Sequence, residues 1–188
     1  RIDELPGEAF DVICRSGGRS RRAVGHRPLF VALADHLQHP AVGVDVTQLE
    51  AAQFTDADAA FPANLRRFVS AARERGATPV LLTPIERRTF DGKGRLTPTH
   101  GVYPDRTREV ARAEVVALID LTAQTRELWQ RQGAEASRDS FLWFAPGVWP
   151  GHPDGATDDT HLSLAGARLV AALVRDGLAE HGLVAGPG

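Results

Sequence analysis

The sequence predicts an α/β fold built around a mostly parallel sheet. Short apolar runs alternate along the chain with segments of helical periodicity, which is the pattern of strands joined by helices on both faces of a sheet. The run from Thr78 to Thr83 (TPVLLT) is apolar throughout its centre, as in a parallel strand that is covered on both faces. The 188 residues contain no internal repeat and no linker-like stretch, so a single domain over residues 1–188 is expected.

The composition is that of an ordinary globular protein. Apolar residues make up 43 % and charged residues 24 %, and the net charge of -2 gives no indication of a nucleic-acid partner. No run is long and apolar enough to cross a membrane, and no Cys/His cluster has metal-ligand spacing, so we expect no membrane partner, no metal and no other cofactor. The lone Cys14 cannot form an internal disulfide. Because the chain starts at Arg1 and contains no Met, we expect that its true N-terminus lies upstream.

The first third of the chain predicts two strands, a turn and a helix. Residues Ala9–Cys14 form the first strand, and a cationic turn follows from Arg15 to Arg22. Its adjacent Gly17 and Gly18 allow backbone N–H groups to approach an anion or oxyanion, although a plain solvated turn has the same composition. The apolar spacing predicts a helix over residues 29–37 and a second strand over residues 41–46.

The remaining elements are predicted more sharply. A helix starts at Phe61, carries an apolar stripe and ends at Gly76, before the TPVLLT strand. Residues 84–103 form a long polar loop, and loops of that length are often functional. The elements predicted after it are, in order, a helix over 105–114, a strand over 115–120, a helix from a Thr122 cap to a stop at Gly133, and an irregular stretch over 134–157. The last predicted element is a helix over 164–180 with Ser163 as its N-cap. Its apolar residues expected to face inward are Leu169, Val170, Leu173 and Val174.

One stretch, from Asp158 to Ala167 (DDTHLSLAGA), carries candidate chemistry. It places the Asp158 carboxylate three residues before the His161 imidazole at the mouth of the last helix. Histidine can take and return a proton near neutral pH, and a nearby carboxylate can fix its tautomer and stabilise its charged form. The alternative interpretation is a surface loop with a helix cap.

Several segments in a fixed order carry a resemblance to a known family. They are residues 64–69 (NLRRFV), 75–85 (RGATPVLLTPI), 87–88 (RR), 99–104 (THGVYP), 118–121 (LIDL) and 158–167. Through these segments the chain, from Phe61 to about Val174, resembles the SGNH/GDSL hydrolases, and among them the rhamnogalacturonan acetylesterase-like group.

The resemblance implies a three-layer α/β/α sandwich of the flavodoxin-like kind and the hydrolysis of O-acyl esters, often acetyl groups on pectic polysaccharides. The substrate is then a small-molecule or oligosaccharide ester. His161 matches the catalytic base, Asp158 matches its partner, and Gly18 matches the oxyanion glycine. Asp159 matches no role in the family and is expected to face water.

The chain departs from the family pattern in its first third. It has no G-D-S motif for the nucleophile, so the family's first strand is expected to be absent and residues 1–60 match poorly. Residues 42–61 hold no asparagine for the oxyanion hole, although Gln48 offers an amide there. Ser16 and Ser20 flank the glycine turn, and neither is identifiable as the nucleophile. The sequence therefore predicts an acetylesterase-like hydrolase with an unidentified nucleophile, or alternatively a catalytically impaired or non-catalytic carbohydrate-binding relative. A lipase- or thioesterase-like member is the third possibility.

Candidate substrate contacts lie in the long loop and around it. Arg87, Arg88 and Arg19 can bind uronate carboxylates through the planar guanidinium, or can be solvated or ion-paired instead. His100 and Tyr103 can line the site or anchor the loop. The aromatic residues of the 134–157 stretch are core or loop anchors, or a wall for sugar rings. The sequence leaves the oligomeric state and the compartment open.

Overall fold

A computed structural model of the protein describes residues 29–33 and 56–185. Its elements, in chain order, are β1 (Leu29–Leu33), α1 (Ala60–Glu74), β2 (Thr78–Leu82), α2 (Tyr103–Ala113), β3 (Ala117–Ile119), α3 (Leu121–Ala136), a 3₁₀ helix (Ser137–Ser140), β4 (Phe141–Phe144), β5 (Ala156–Leu162) and α4 (Leu164–Glu180). These elements confirm the α/β class. Of the described residues, 29–33, 56–82 and 105–118 group into one compact unit, and 83–104 and 119–185 group into a second. None of the helices described is long and apolar enough to cross a membrane.

The first unit is organised by α1 and β2. The helix forms where Leu65, Val69 and Ala72 recur on one face, and all three are buried. It ends as predicted at Gly76, whose positive φ of 70° lets its N–H bond to the Arg73 carbonyl. Strand β2 follows and pairs in parallel with β1, and the sheet order is β1-β2-β3.

Two predictions in this part of the chain are corrected. The helix expected over residues 29–37 is wrong, because Leu29–Leu33 is a strand in register with Thr78–Leu82. A short apolar run fits either period, and hydrogen bonding to β2 decides between them. The strand expected from Val115 starts at Ala117, because Val115 has a φ of 52° and is 87 % exposed. The strands predicted over residues 9–14 and 41–46 lie outside the described residues.

In the second unit, α3 starts at a different cap from the one predicted. The Asp120 carboxylate accepts the Ala123 N–H at 3.2 Å and serves as N-cap. Thr122 is instead buried, and its hydroxyl donates to the Pro84 carbonyl at 2.5 Å. Gly133 interrupts the helix as predicted, with a φ of 75°, although helical backbone resumes up to Ala136.

The stretch expected to be irregular contains a β-hairpin. Strand β4 pairs antiparallel with β5, and Phe141 packs edge-on against the buried Trp129 with ring centres 5.2 Å apart. Helix α4 then starts at Ser163, whose hydroxyl accepts the Gly166 N–H at 3.2 Å, so the predicted cap is confirmed. Val170 is buried on the inner face of α4. Leu169 is 37 % exposed, so its predicted inward orientation is wrong.

Candidate active site

The Asp158–His161 segment lies in an irregular part of β5 in the second unit. Asp158 is opposite Leu142 on β4, whereas Leu162 is opposite the adjacent Phe141. The three residues between them, 159–161, therefore bulge out of the ladder. A bulge can re-aim side chains without ending the strand, and here it brings the His161 imidazole back towards Asp158.

Asp158 uses both carboxylate oxygens to hold His161. Its Oδ2 lies 2.6 Å from His161 Nδ1, and its Oδ1 accepts the backbone N–H groups of Thr160 at 2.7 Å and His161 at 2.9 Å. An ionised carboxylate can only accept hydrogen bonds, so Nδ1 carries the proton and donates it to Asp158. The His161 side chain is 73 % exposed, which leaves its Nε2 side open to a ligand.

The environment of Asp158 favours its charged form. Partial burial raises the pKa of Asp158, but the hydrogen bonds from the His161 backbone, the His161 ring and the Thr160 backbone outweigh it. The pKa of Asp158 is therefore lowered below its usual value, and the carboxylate is ionised at neutral pH.

The start of α4 fixes the chain just after His161. The Ser163 N–H donates to the Ser140 carbonyl at 3.0 Å, and the Ser163 hydroxyl donates to the Asp139 carbonyl at 2.6 Å. Gly166 lies so close to Ser140 that a Cβ there would be only 2.0 Å from the Ser140 carbonyl oxygen. This close approach requires glycine, because it lets the start of α4 pack directly against the end of the 3₁₀ helix.

Asp159 faces water in part, because its side chain is 42 % exposed, but its carboxylate is also bonded within the protein. Its carboxylate accepts hydrogen bonds from Arg88 and from the indole N–H of Trp143, the latter at 2.8 Å. Arg88 is only 6 % exposed, and its guanidinium carbon lies 4.8 Å from the centre of the Trp143 ring. Of the alternatives for Arg88, the structure shows ion pairing.

The other candidate substrate contacts occupy different environments. His100 is buried, and its Nε2 lies 2.7 Å from the Ile85 carbonyl, so in this geometry it anchors the long loop. Arg87 and Tyr103 are half-buried, Tyr103 as the first residue of α2. For all three, contact with a substrate stays a prediction.

The long loop is held by a buried carboxylate that no sequence pattern indicates. Glu86 is 1 % exposed and bonds to Arg126 at 2.6 Å and to the Thr99 hydroxyl and N–H. Its backbone carbonyl accepts the indole N–H of Trp129 at 3.0 Å. A glutamate in a polar loop normally predicts a solvated side chain, and its partners on α3 are recognised only once the chain is folded.

The predicted glycine turn cannot be placed against this site. Gly18, Ser16, Ser20, Arg19 and Gln48 all lie outside the described residues, so the oxyanion role of Gly18 stays a prediction. Across residues 29–33 and 56–185, no group of three or more His, Cys, Asp or Glu side chains could hold a metal ion.

An open groove of about 580 Å³ runs beside the bulge along the β4–β5 hairpin. Its lining includes Arg138, Asp139, Trp143, Phe144 and Asp154. Trp143 therefore belongs both to the groove and, through its N–H, to the bulge. The arrangement combines aromatic surface with charged groups that can bond to hydroxyls.

Comparison with known proteins identifies the chain's relatives. No family model matches it. Rhamnogalacturonan acetylesterase RhgT of Bacillus subtilis (strain 168) is 45 % identical over 119 residues, which is 63 % of this chain and 51 % of RhgT. The chain is therefore similar to the rhamnogalacturonan acetylesterases. The predicted resemblance is thereby confirmed.

Two further matches extend the comparison. The probable rhamnogalacturonan acetylesterase YesY of the same organism is 28 % identical over 142 residues, 74 % of this chain and 59 % of YesY. The chain thus spans between half and three fifths of the curated relatives it matches. The crystal structure of the Bacillus subtilis protein YXIM has a TM-score of 0.54 and 24 % identity over 69 % of this chain and 33 % of that one, which shows a related fold.

Proposed function

We propose that this chain is part of a carbohydrate esterase that removes acetyl groups from a pectin-type polysaccharide or its oligosaccharides. His161 is the general base, Asp158 orients it, and Gly18 donates to the oxyanion. The single observation that carries the proposal is the 2.6 Å contact of His161 Nδ1 with Asp158 Oδ2, which leaves Nε2 exposed. The names of the curated relatives RhgT and YesY support the substrate class.

The geometry supplies one half of an acyl-transfer mechanism. His161 Nε2 takes the proton of an attacking hydroxyl, and the imidazolium that forms is stabilised by the ionised Asp158. The attacking oxygen adds to the ester carbonyl, and the same ring then returns the proton to the departing sugar oxygen. Two attacking groups fit this chemistry, a serine hydroxyl or a water molecule.

The nucleophile is the open part of the mechanism. Within the described residues, no hydroxyl bonds to His161 Nε2. A serine contributed from elsewhere in the chain would form an acetyl-enzyme, and oxyanion donors would be required beside it. We propose that the finer architecture is the family's three-layer sandwich in one domain.

The groove beside the bulge supports a carbohydrate substrate. Trp143 and Phe144 line it, and Trp149, which is 59 % exposed, packs edge-on against Phe144 with ring centres 6.5 Å apart. Aromatic faces and edges pack against the apolar sides of sugar rings, while charged groups bond to sugar hydroxyls. Arg87, His100 and Tyr103 remain candidate contacts on the loop.

The test compares ester hydrolysis by the 188-residue chain and its His161→Ala variant. Release of acetate from acetylated pectin and turnover of p-nitrophenyl acetate should both fall by about a hundredfold or more in the variant, because general-base catalysis is removed. Equal rates for the two proteins would remove the catalytic role of His161.

The matched control is His152→Ala. His152 is an exposed histidine on the same hairpin, packed edge-on against Phe144. Any exposed imidazole attacks p-nitrophenyl acetate weakly, so an equal loss in both variants would indicate surface reactivity and contradict an active site. Mass spectrometry of the protein during turnover separates the two attacking groups, because a serine route gives an acetylated protein and a water route does not.

A further inference from the structure

Asp159, the first residue of the bulge, receives three hydrogen bonds. Its Oδ1 accepts from Arg88 Nη1 at 2.5 Å and from Trp143 Nε1 at 2.8 Å. Its backbone carbonyl accepts the Arg88 N–H at 2.9 Å. One residue of an exposed segment is thus tied to the long loop through both its main chain and its side chain.

Arg88 is itself held firmly. It is 6 % exposed, and its second terminal nitrogen donates to the Ala134 carbonyl at the end of α3. Its guanidinium lies 4.8 Å from the centre of the Trp143 ring and 5.9 Å from that of Phe90. A buried guanidinium in a fixed planar arrangement is a rigid anchor, and its buried charge requires the Asp159 carboxylate as a partner.

The bulge needs such an anchor because the hairpin ladder does not fix it. Residues 159–161 have no opposite residue on β4 in the observed register. The Asp158 carboxylate bonds to its own near neighbours, Thr160 and His161, so those side-chain contacts hold the bulge together without fixing it to the rest of the unit. At the start of the bulge, Asp159 attaches it to the rest of the unit through Arg88 and Trp143. After the end of the bulge, Ser163 attaches the chain through its hydrogen bond to the Asp139 carbonyl.

We propose that Arg88 and Trp143 are positioning residues, which act through Asp159 to keep His161 Nδ1 directed at Asp158 and Nε2 directed outward. The inference rests on the proposed role of His161 as the base, and neither residue is assigned a contact with the reacting atoms. Small displacements of a catalytic group have large effects on rate, so the attachment matters even though it lies outside the Asp158–His161 pair.

The test measures directly which nitrogen of the His161 ring carries the proton. Nitrogen-15 chemical shifts of the two ring nitrogens, measured by NMR in the full 188-residue chain at neutral pH, give the population of each neutral tautomer. The wild type should show Nδ1 protonated. Trp143→Phe keeps the ring but deletes the N–H to Asp159, and Asp159→Asn keeps the acceptor oxygen but removes its charge. In both variants the Nε2-protonated population should rise at least about threefold, because the orienting contact weakens.

The same variants have an expected kinetic signature. The kcat for acetyl ester hydrolysis should fall by about tenfold in both variants. In Asp159→Asn the KM should stay within about twofold of the wild type, because Asp159 positions the base and does not line the groove. If the ring tautomer shifts while even the wild type hydrolyses no ester, the positioning inference holds and the proposed function fails. If the tautomer is unchanged in Trp143→Phe, the inference is overturned whatever the activity.

Trp129→Phe is the matched control. It also deletes an indole N–H, the one that donates to the Glu86 carbonyl at 3.0 Å, at a fully buried position in the same unit. It should lower thermal stability and leave the His161 tautomer unchanged. An equal tautomer shift in Trp129→Phe and Trp143→Phe would mean that general loosening of the fold, and not the Asp159 attachment, moves His161, and would contradict the inference.

Discussion

Replacing Gly166 by alanine should destabilise the protein, although the same change in most helices is stabilising. A Cβ at this position would lie 2.0 Å from the Ser140 carbonyl oxygen and 2.8 Å from its carbonyl carbon. That oxygen already accepts the Ser163 N–H at 3.0 Å. Because both clashing atoms are backbone atoms, no side-chain rotation can relieve the contact, and α4 must shift by about 1.5 Å to restore an ordinary carbon–oxygen separation.

The size of the effect follows from three opposing contributions. Alanine improves helix propensity by about 1 kcal/mol. Overpacking costs about 1–3 kcal/mol, and loss of the Ser163 hydrogen bond to Ser140 costs about 1 kcal/mol. The net destabilisation is therefore about 2 kcal/mol, which corresponds to a fall in Tm of about 4–8 °C for a chain of this size.

Thermal unfolding followed by circular dichroism measures the change, and Gly177→Ala is the control within the same helix. There the nearest atoms are the flexible side-chain carbons of Ile119, at 3.0–3.1 Å, so a small rearrangement should limit the cost to within about 1 kcal/mol. A Gly166→Ala protein as stable as the wild type would contradict the close backbone packing of Gly166 in α4 against Ser140. The same variant should also lose ester hydrolysis, because Ser163 lies two residues after His161.

Three further predictions concern charged groups. Asp158→Asn should reduce ester turnover by about a hundredfold or more, because the amide NH₂ faces His161 Nδ1 and favours the wrong tautomer. The free energy of unfolding should change by less than about 1 kcal/mol, because the His161 side chain is largely exposed. The lowered pKa of Asp158 means that the folded state binds its proton less readily than the unfolded state, so the contribution of Asp158 to stability is present at neutral pH. That contribution should be lost below about pH 4, and urea midpoints should show the difference between wild type and Asp158→Asn shrinking there. Arg126→Met should lower the urea midpoint by the equivalent of about 2 kcal/mol, because Glu86 is then a buried charge without its cation. Glu86→Gln should lower the midpoint by less than Arg126→Met does. An unchanged midpoint in Arg126→Met would contradict the buried ion pair.

Features that depend on neighbours along the chain are predictable from the amino-acid sequence. Apolar spacing in α1, the continuous apolar strand β2, the break at Gly133 and the cap at Ser163 are all local, and each is found where the sequence places it. The Asp158–His161 contact is local too, because three residues separate the partners and a turn of the chain suffices to join them.

Features whose partners are distant in sequence become recognisable in the folded chain. Residues 29–33 have the composition of a helix or a strand, and hydrogen bonding to β2 makes them a strand. Asp159 reads as a solvated acid until Arg88, 71 positions away, and Trp143 meet it in the fold. The physical reason is the same in both cases: hydrogen bonds and burial supplied by remote segments outweigh the weak local preferences of a short run or a single polar residue.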